Sequence, residues 1–155
     1  NIKIAIENMF QSDARRKHIV DDTCSRKEEF IRYIDTLDSE YIVACLDVGH
    51  TGLIMQPDEA QDLVRALGHD RLKSLHVHDN NYREDQHILP GLGLLNWDEI
   101  TKALGEIDYD GVFTYETEGK LLNNFDDELY PTALRFMSDV GHHLIDKIER
   151  NRPIK

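Results

Sequence analysis

The chain has 155 residues, enough for one domain but too few for a complete eight-fold α/β barrel, which needs about 250. Its 40% apolar content and mean hydropathy of −0.53 are those of a soluble globular domain, and no apolar stretch approaches the roughly 18 residues of a membrane span. Acids outnumber bases 30 to 18, a net charge of −12, which argues against nucleic acid as a partner because phosphate backbones are bound by Lys and Arg through counterion release.

The first apolar alternation, Ile2 to Glu7, reads as a strand. The chain begins at Asn1 rather than Met, so a preceding segment is expected, and a cytoplasmic location follows from the lack of a leader-like pattern. A long polar connection, Asn8 to Cys24, carries the basic run Arg15, Arg16 and Lys17. Such a run either meets a phosphate or is a solvated surface. Ser25-Arg26-Lys27-Glu28 fits a capping box, and Phe30, Ile31, Ile34 and Leu37 then fall at helical spacing.

Tyr41 to Asp47 reads as a second strand, with Cys45 packed in its apolar run as a reduced thiol. The helix after it has Pro57 in its first turn, Ala60, Leu63, Val64 and Leu67 on one face, and Gly68 as its C-terminal cap. Leu72 to His78 is a third strand, separated by the polar stretch Asp79 to Asn96 from a helix over Trp97 to Ile107. Val112 to Glu116 is the fourth strand, and Asp126 to Arg150 a long helix in which Pro131 sits in the first turn or marks a break. Four βα repeats without an internal linker make residues 1–155 one α/β domain built on parallel strands with outer helices.

Aligned on their terminal polar residues Glu7, Asp47, His76 and Glu116, the strands carry small residues two positions earlier: Ala5, Cys45, Ser74 and Thr114. Alternation turns both sets to one face, which suits the inside of a curved sheet and leaves Ile4, Ile6, Leu46, Leu75, Phe113 and Tyr115 for the helices. Three carboxylates and an imidazole on one rim would repel and protonate without a cation. A mixed oxygen and nitrogen set suits Mn²⁺, Zn²⁺, Co²⁺ or Fe²⁺ better than Ca²⁺, with Mg²⁺ also a candidate. Asp47-Val48-Gly49-His50 and Asp85-Gln86-His87 each add a carboxylate and an imidazole at short spacing. Taken singly, each of these residues reads more ordinarily as a loop-capping acid or a packed histidine than as a ligand, and it is the joint pattern that points to a metal.

Ile6-Glu7-Asn8, Leu46-Asp47-Val48-Gly49-His50, Leu75-His76-Val77-His78-Asp79-Asn80, Asp85-Gln86-His87, Pro90-Gly91-Leu92-Gly93 with Trp97, and Tyr109-Asp110-Gly111 leading to Tyr115-Glu116 come in an informative order. Together they resemble the C-terminal half of the xylose isomerase-like TIM barrels, a superfamily of sugar phosphate isomerases/epimerases and endonuclease IV-type AP endonucleases. The resemblance implies a (βα)4 half of a TIM barrel. Its ketose 3-epimerase branch implies one divalent metal held by Glu7, Asp47, His76 and Glu116, with Glu7 and Glu116 as acid and base. It also implies a sugar or sugar phosphate as substrate.

In that branch His50 matches a substrate-binding histidine, and an arginine falls near Arg83, where the loop here is one residue longer. The endonuclease branch implies His50, Asp85 and His87 as ligands of further metal. Asn8, His50, His78, Arg83, Asp85 and His87 are therefore candidates for a second metal or for substrate. The Pro90 to Gly93 segment is either a sugar-contacting turn or an ordinary loop. A half barrel exposes two sheet edges, so a homodimer or an N-terminal half barrel is expected as partner. Without such a partner the chain would be a catalytically incomplete metal-binding fragment.

Overall fold

A computed structural model describes residues 2–54, 59–117, 122–123 and 125–154. In chain order its elements are β1 (Ile4–Glu7), β2 (Phe10–Asp13), β3 (His18–Asp21), α1 (Lys27–Leu37), β4 (Ile42–Asp47), α2 (Val48–Leu53), α3 (Ala60–Arg71), β5 (Leu72–Val77), α4 (Trp97–Glu106), β6 (Val112–Tyr115) and α5 (Tyr130–Arg150). Strands β1, β4, β5 and β6 form one parallel sheet in that order. This is the (βα)4 arrangement of half a barrel.

Alternation along the strands sorts the side chains as expected. Leu46 and Leu75 are buried with Phe30, Leu63, Leu67 and Leu104 of the covering helices, and Ile6, Phe113 and Tyr115 pack against that cluster. Each helix contributes one stripe at helical spacing, such as Leu63, Val64 and Leu67 of α3 or Leu144 and Ile148 of α5. Ile4 is the exception on this face. It is 61% exposed, at the start of β1 on the open edge of the sheet.

Glu7 pairs with Cys45, Cys45 with Ser74, and Ser74 with Val112. Asp47 and His76, which pair with each other, therefore stand two residues beyond that row, and Glu116 stands four beyond it. Rows of hydrogen bonds climb relative to the rim when strands tilt around a barrel. An eight-stranded barrel of this class accumulates a shear of 8, and these four strands accumulate half of it. The polar strand ends are thus level on the rim because they are staggered in the sheet.

Local details differ from the sequence pattern in four places. The polar stretch after β1 is not an open loop: β2 and β3 pair as an antiparallel hairpin. Ser25 does not start a capping box, since α1 has Arg26 in the cap position without a side-chain cap bond, and Glu29 instead accepts from the Cys24 N–H at 3.1 Å. A capping box is found at α3 instead, where the Glu59 and Asp62 side chains each accept from the other's backbone N–H. A short helix, α2, follows β4 directly.

Gly68 has φ +69, a value that suits glycine, and it breaks the regular helix of α3 one turn before Arg71. Pro131 occupies the first turn of α5, where its missing N–H costs nothing. The expected first-turn position of Pro57 lies outside the described residues. Among the described residues, no helix is long and apolar enough to cross a membrane.

Candidate metal centre

The parallel sheet brings Glu7, Asp47, His76 and Glu116 together at the C-terminal ends of its strands, with one ligand atom from each inside 4.8 Å of the others. His76 Nδ1 lies 3.2 Å from Glu7 Oε1 and 3.2 Å from Glu116 Oε2, and 3.9 Å from Asp47 Oδ2. It hydrogen-bonds to none of them, and Asp47 Oδ2 and Glu116 Oε2 are likewise buried without a hydrogen-bond partner. A buried polar atom left unpaired costs about 1–3 kcal/mol. Several such atoms converging on one point have the donor set of a cation cradle.

Asp47 is fixed from several sides. Its Oδ1 accepts from the His50 N–H at 2.7 Å as the N-cap of α2, and from His78 Nε2 at 3.0 Å. Asn8 clamps its backbone, with Oδ1 accepting from the Asp47 N–H at 2.7 Å and Nδ2 donating to the Asp47 carbonyl at 3.0 Å. Both ends of the Asn8 amide are engaged in that clamp. Burial acts to raise the Asp47 carboxyl, but the His78 hydrogen bond and the nearby imidazoles outweigh it and hold the group below the ordinary carboxylate range. Glu116 moves the other way. Burial, then the facing Asp47 carboxylate, keeps its pKa above that of a free glutamate.

A second cluster adjoins the first. His50, His78, Asp85 and His87 also bring one ligand atom each within 4.8 Å of one another. His50 Nδ1 donates to the Asn8 carbonyl at 3.0 Å, and His87 Nδ1 to the Glu116 carbonyl at 2.7 Å. Both imidazoles thus turn Nε2 toward the cluster, the tautomer that metal-ligating histidines hold through a carbonyl behind them. Asp85 Oδ2 contacts His87 Nε2 at 2.9 Å, while Asp85 Oδ1 and His78 Nδ1 are buried without hydrogen bonds. The His78 and His87 rings stack at 4.0 Å. Residue 49 must be glycine for this, since a Cβ there would sit 1.9 Å from His78 Cε1.

The rest of the rim is mixed. Arg83 is exposed and belongs to neither cluster; its backbone N–H donates to Asn81 Oδ1 at 3.0 Å. Phe10 of the hairpin sets its ring edge-on against His50 at 4.9 Å, a contact that the sequence reading missed because the hairpin was not recognised. Beneath the clusters, burial pushes the Cys45 thiol up to about 11, so it stays protonated and adds no charge at neutral pH.

The sequence model of a family described as Xylose isomerase-like TIM barrel matches residues 1–140. An uncharacterized protein of Sinorhizobium fredii is 32% identical over 117 residues, 76% of this chain and 34% of that protein. D-psicose 3-epimerase of Enterocloster bolteae is 34% identical over 89 residues, 57% of this chain and 27% of that enzyme. Among solved structures, a D-tagatose 3-epimerase-like protein superposes with a TM-score of 0.66 at 22% identity, over 95% of this chain and 49% of the other. D-allulose 3-epimerase from Methylomonas sp., solved with D-allulose, gives a TM-score of 0.62 at 20% identity, over 97% of this chain and 48% of the other. At these identities the structural likeness is one of fold. The chain spans about a third of the length of these curated relatives and about half of these solved chains.

Proposed function

The chain belongs to the xylose isomerase-like TIM barrel family, and we propose that it carries the metal-binding half of a sugar or sugar-phosphate isomerase/epimerase. The observation that carries this reading is the convergence of Glu7, Asp47, His76 and Glu116 on one rim, with buried ligand atoms that hydrogen-bond to nothing. Those four residues would hold one divalent ion. When bound, it would offset the negative charge that develops on substrate oxygens as a proton leaves the carbon next to a carbonyl.

The side chains supply the proton transfers. Glu7 ends β1 and Glu116 directly follows β6, the two outer strands of the sheet, and each has a carboxylate oxygen 3.2 Å from His76 Nδ1. One carboxylate takes the proton and the other returns one from another direction, as a two-base epimerisation requires. Asp47, held ionised by His78, stays a charged ligand rather than an acid.

Since the chain covers about half of the solved epimerase-like chains, the complete reaction needs a second half barrel, supplied by a missing N-terminal segment or by another copy. The open edges fit this: Ile4 on one and Val112 on the other are 61% and 62% exposed. Calorimetry with Mn²⁺, Co²⁺ and Zn²⁺ tests the site directly. Binding that is lost in Glu7→Gln with Asp47→Asn supports it, and no binding of any of these ions by the parent chain contradicts it.

A second reading is metal-dependent phosphodiester hydrolysis of the AP endonuclease type, and the second cluster favours it, because paired ions suit an in-line displacement. The net charge of −12 weighs against a DNA substrate. Cleavage of abasic DNA without proton exchange in any sugar would select this reading.

A further inference from the structure

Asp79 is fully buried, and among the described residues no cation pairs with it. Burying a lone carboxylate is costly unless hydrogen bonds compensate. Four N–H groups do so: Asn80 N at 2.8 Å and Leu95 N at 3.1 Å donate to Oδ1, and Gly91 N and Trp97 Nε1, each at 2.9 Å, donate to Oδ2. The donors are spread along the whole connection from β5 to α4. The Asp79 backbone adds two bonds with Ile88, at 2.7 and 3.2 Å.

The two backbone bonds with Ile88 bring residues 80–87 back to Asp79, and the carboxylate holds the chain on either side of that loop, at Asn80 where it leaves and at Gly91 just past its return; Asp85 and His87 lie on the returning arm. Asn80 Nδ2 also donates to the Gly49 carbonyl at 2.7 Å, which ties the loop to α2, the element that carries His50. An apolar side chain at position 79 would fill the same space but could not set four N–H directions.

We propose that Asp79 is a positioning residue for the second cluster: its carboxylate sets the path of the loop so that Asp85 and His87 face His50 and His78. This rests on that cluster being a cation site. Asp79 itself touches no ligand. In Asp79→Asn one oxygen becomes an NH₂ group aimed at two N–H donors, so the staple opens on one side.

The test compares the parent chain, Asp79→Asn, and Asn96→Ala as a control that removes the α4 N-cap without touching Asp79. In the metal-free chains, amide hydrogen exchange at Gly91 and Leu95 should accelerate about tenfold or more in Asp79→Asn but not in Asn96→Ala. In a Co²⁺ titration followed by its visible spectrum, the ion at the imidazole-rich cluster should bind about 10- to 100-fold more weakly in Asp79→Asn. The ion at the carboxylate-rich cluster should hold its affinity within about twofold.

Faster exchange with an unchanged second ion would make Asp79 merely structural and overturn the proposal, as would unchanged exchange. A parent chain that binds a single Co²⁺ refutes the two-cation reading instead. The crystal structure of Asp79→Asn then decides the positioning claim, which fails if Asp85 and His87 still face His50. Should Asp79→Asn not fold, Trp97→Phe removes one donor only. It must still weaken the second ion by about threefold or more, and no change overturns the proposal.

Discussion

Asp47 divides its carboxylate between two clusters: Oδ1 accepts from His78 Nε2 at 3.0 Å, and Oδ2, buried without a hydrogen bond, faces His76 Nδ1 at 3.9 Å. The oxygen turned to the first cluster is thus oriented by a histidine of the second. Ligating carboxylates held this way by hydrogen bonds lose little freedom on binding a metal.

Replacing Asp47 by Asn should therefore cost both metal and stability. Loss of an outer hydrogen-bond partner alone weakens metal binding about 10- to 100-fold, so loss of the charged ligand should exceed that. The Asn oxygen can still accept from His50 N and His78 Nε2, which both bond to Oδ1, but it lacks the charge that strengthens those bonds, a loss of about 1 kcal/mol at neutral pH. The folded pKa of Asp47 lies below the ordinary 3.8, so its stabilisation is present at neutral pH and fades as pH falls below that value. Urea unfolding at pH 7 and pH 3 should show the gap between parent and variant shrinking in acid.

Glu116 gives the opposite pH dependence. Its pKa is raised in the folded chain above the ordinary 4.5, so folding takes up a proton in that window and the ionised group destabilises the metal-free fold as pH rises through it. Glu116→Gln should make the metal-free chain more stable than the parent at pH 7 and leave the two alike at pH 4. Added Mn²⁺ should reverse the order at pH 7 by stabilising the parent more than the variant. Thermal unfolding with and without the ion checks both signs.

The exposed edges predict association. Light scattering at micromolar concentration should give about twice the 18.0 kDa chain mass, or the monomer should bind an apolar dye that a co-expressed N-terminal half displaces. A monodisperse monomer that binds no dye contradicts the account of the open edges.

The strands and the first cluster were legible because each strand is an apolar alternation ended by a metal-capable residue, and alternation alone fixes which face that residue takes. The stagger between them was not legible. It arises from the tilt of strands in a curved sheet, and nothing in the local sequence encodes that Glu7 pairs with Cys45 rather than Asp47. The hairpin was missed because its strands are four residues each and mostly polar. The short α2 left a usable signal in Asp47, an N-cap residue type three positions before the His50 N–H it accepts. The role of Asp79 depends on donors from three residues of one irregular loop and from Trp97 at the start of α4, which no spacing rule anticipates.

The central claim is that Glu7 and Glu116 move protons at a sugar carbon beside a metal held by this rim. The most direct measurement is solvent deuterium incorporation into a panel of ketoses and ketose phosphates by the barrel completed with an N-terminal half and supplied with Mn²⁺ or Co²⁺. The account predicts deuterium at the carbon next to the carbonyl of at least one sugar, abolished by chelation and reduced about 100-fold or more in both Glu7→Gln and Glu116→Gln. Deuterium incorporation that persists undiminished in either glutamine variant, or none in any sugar from a metal-loaded, folded barrel, would contradict it.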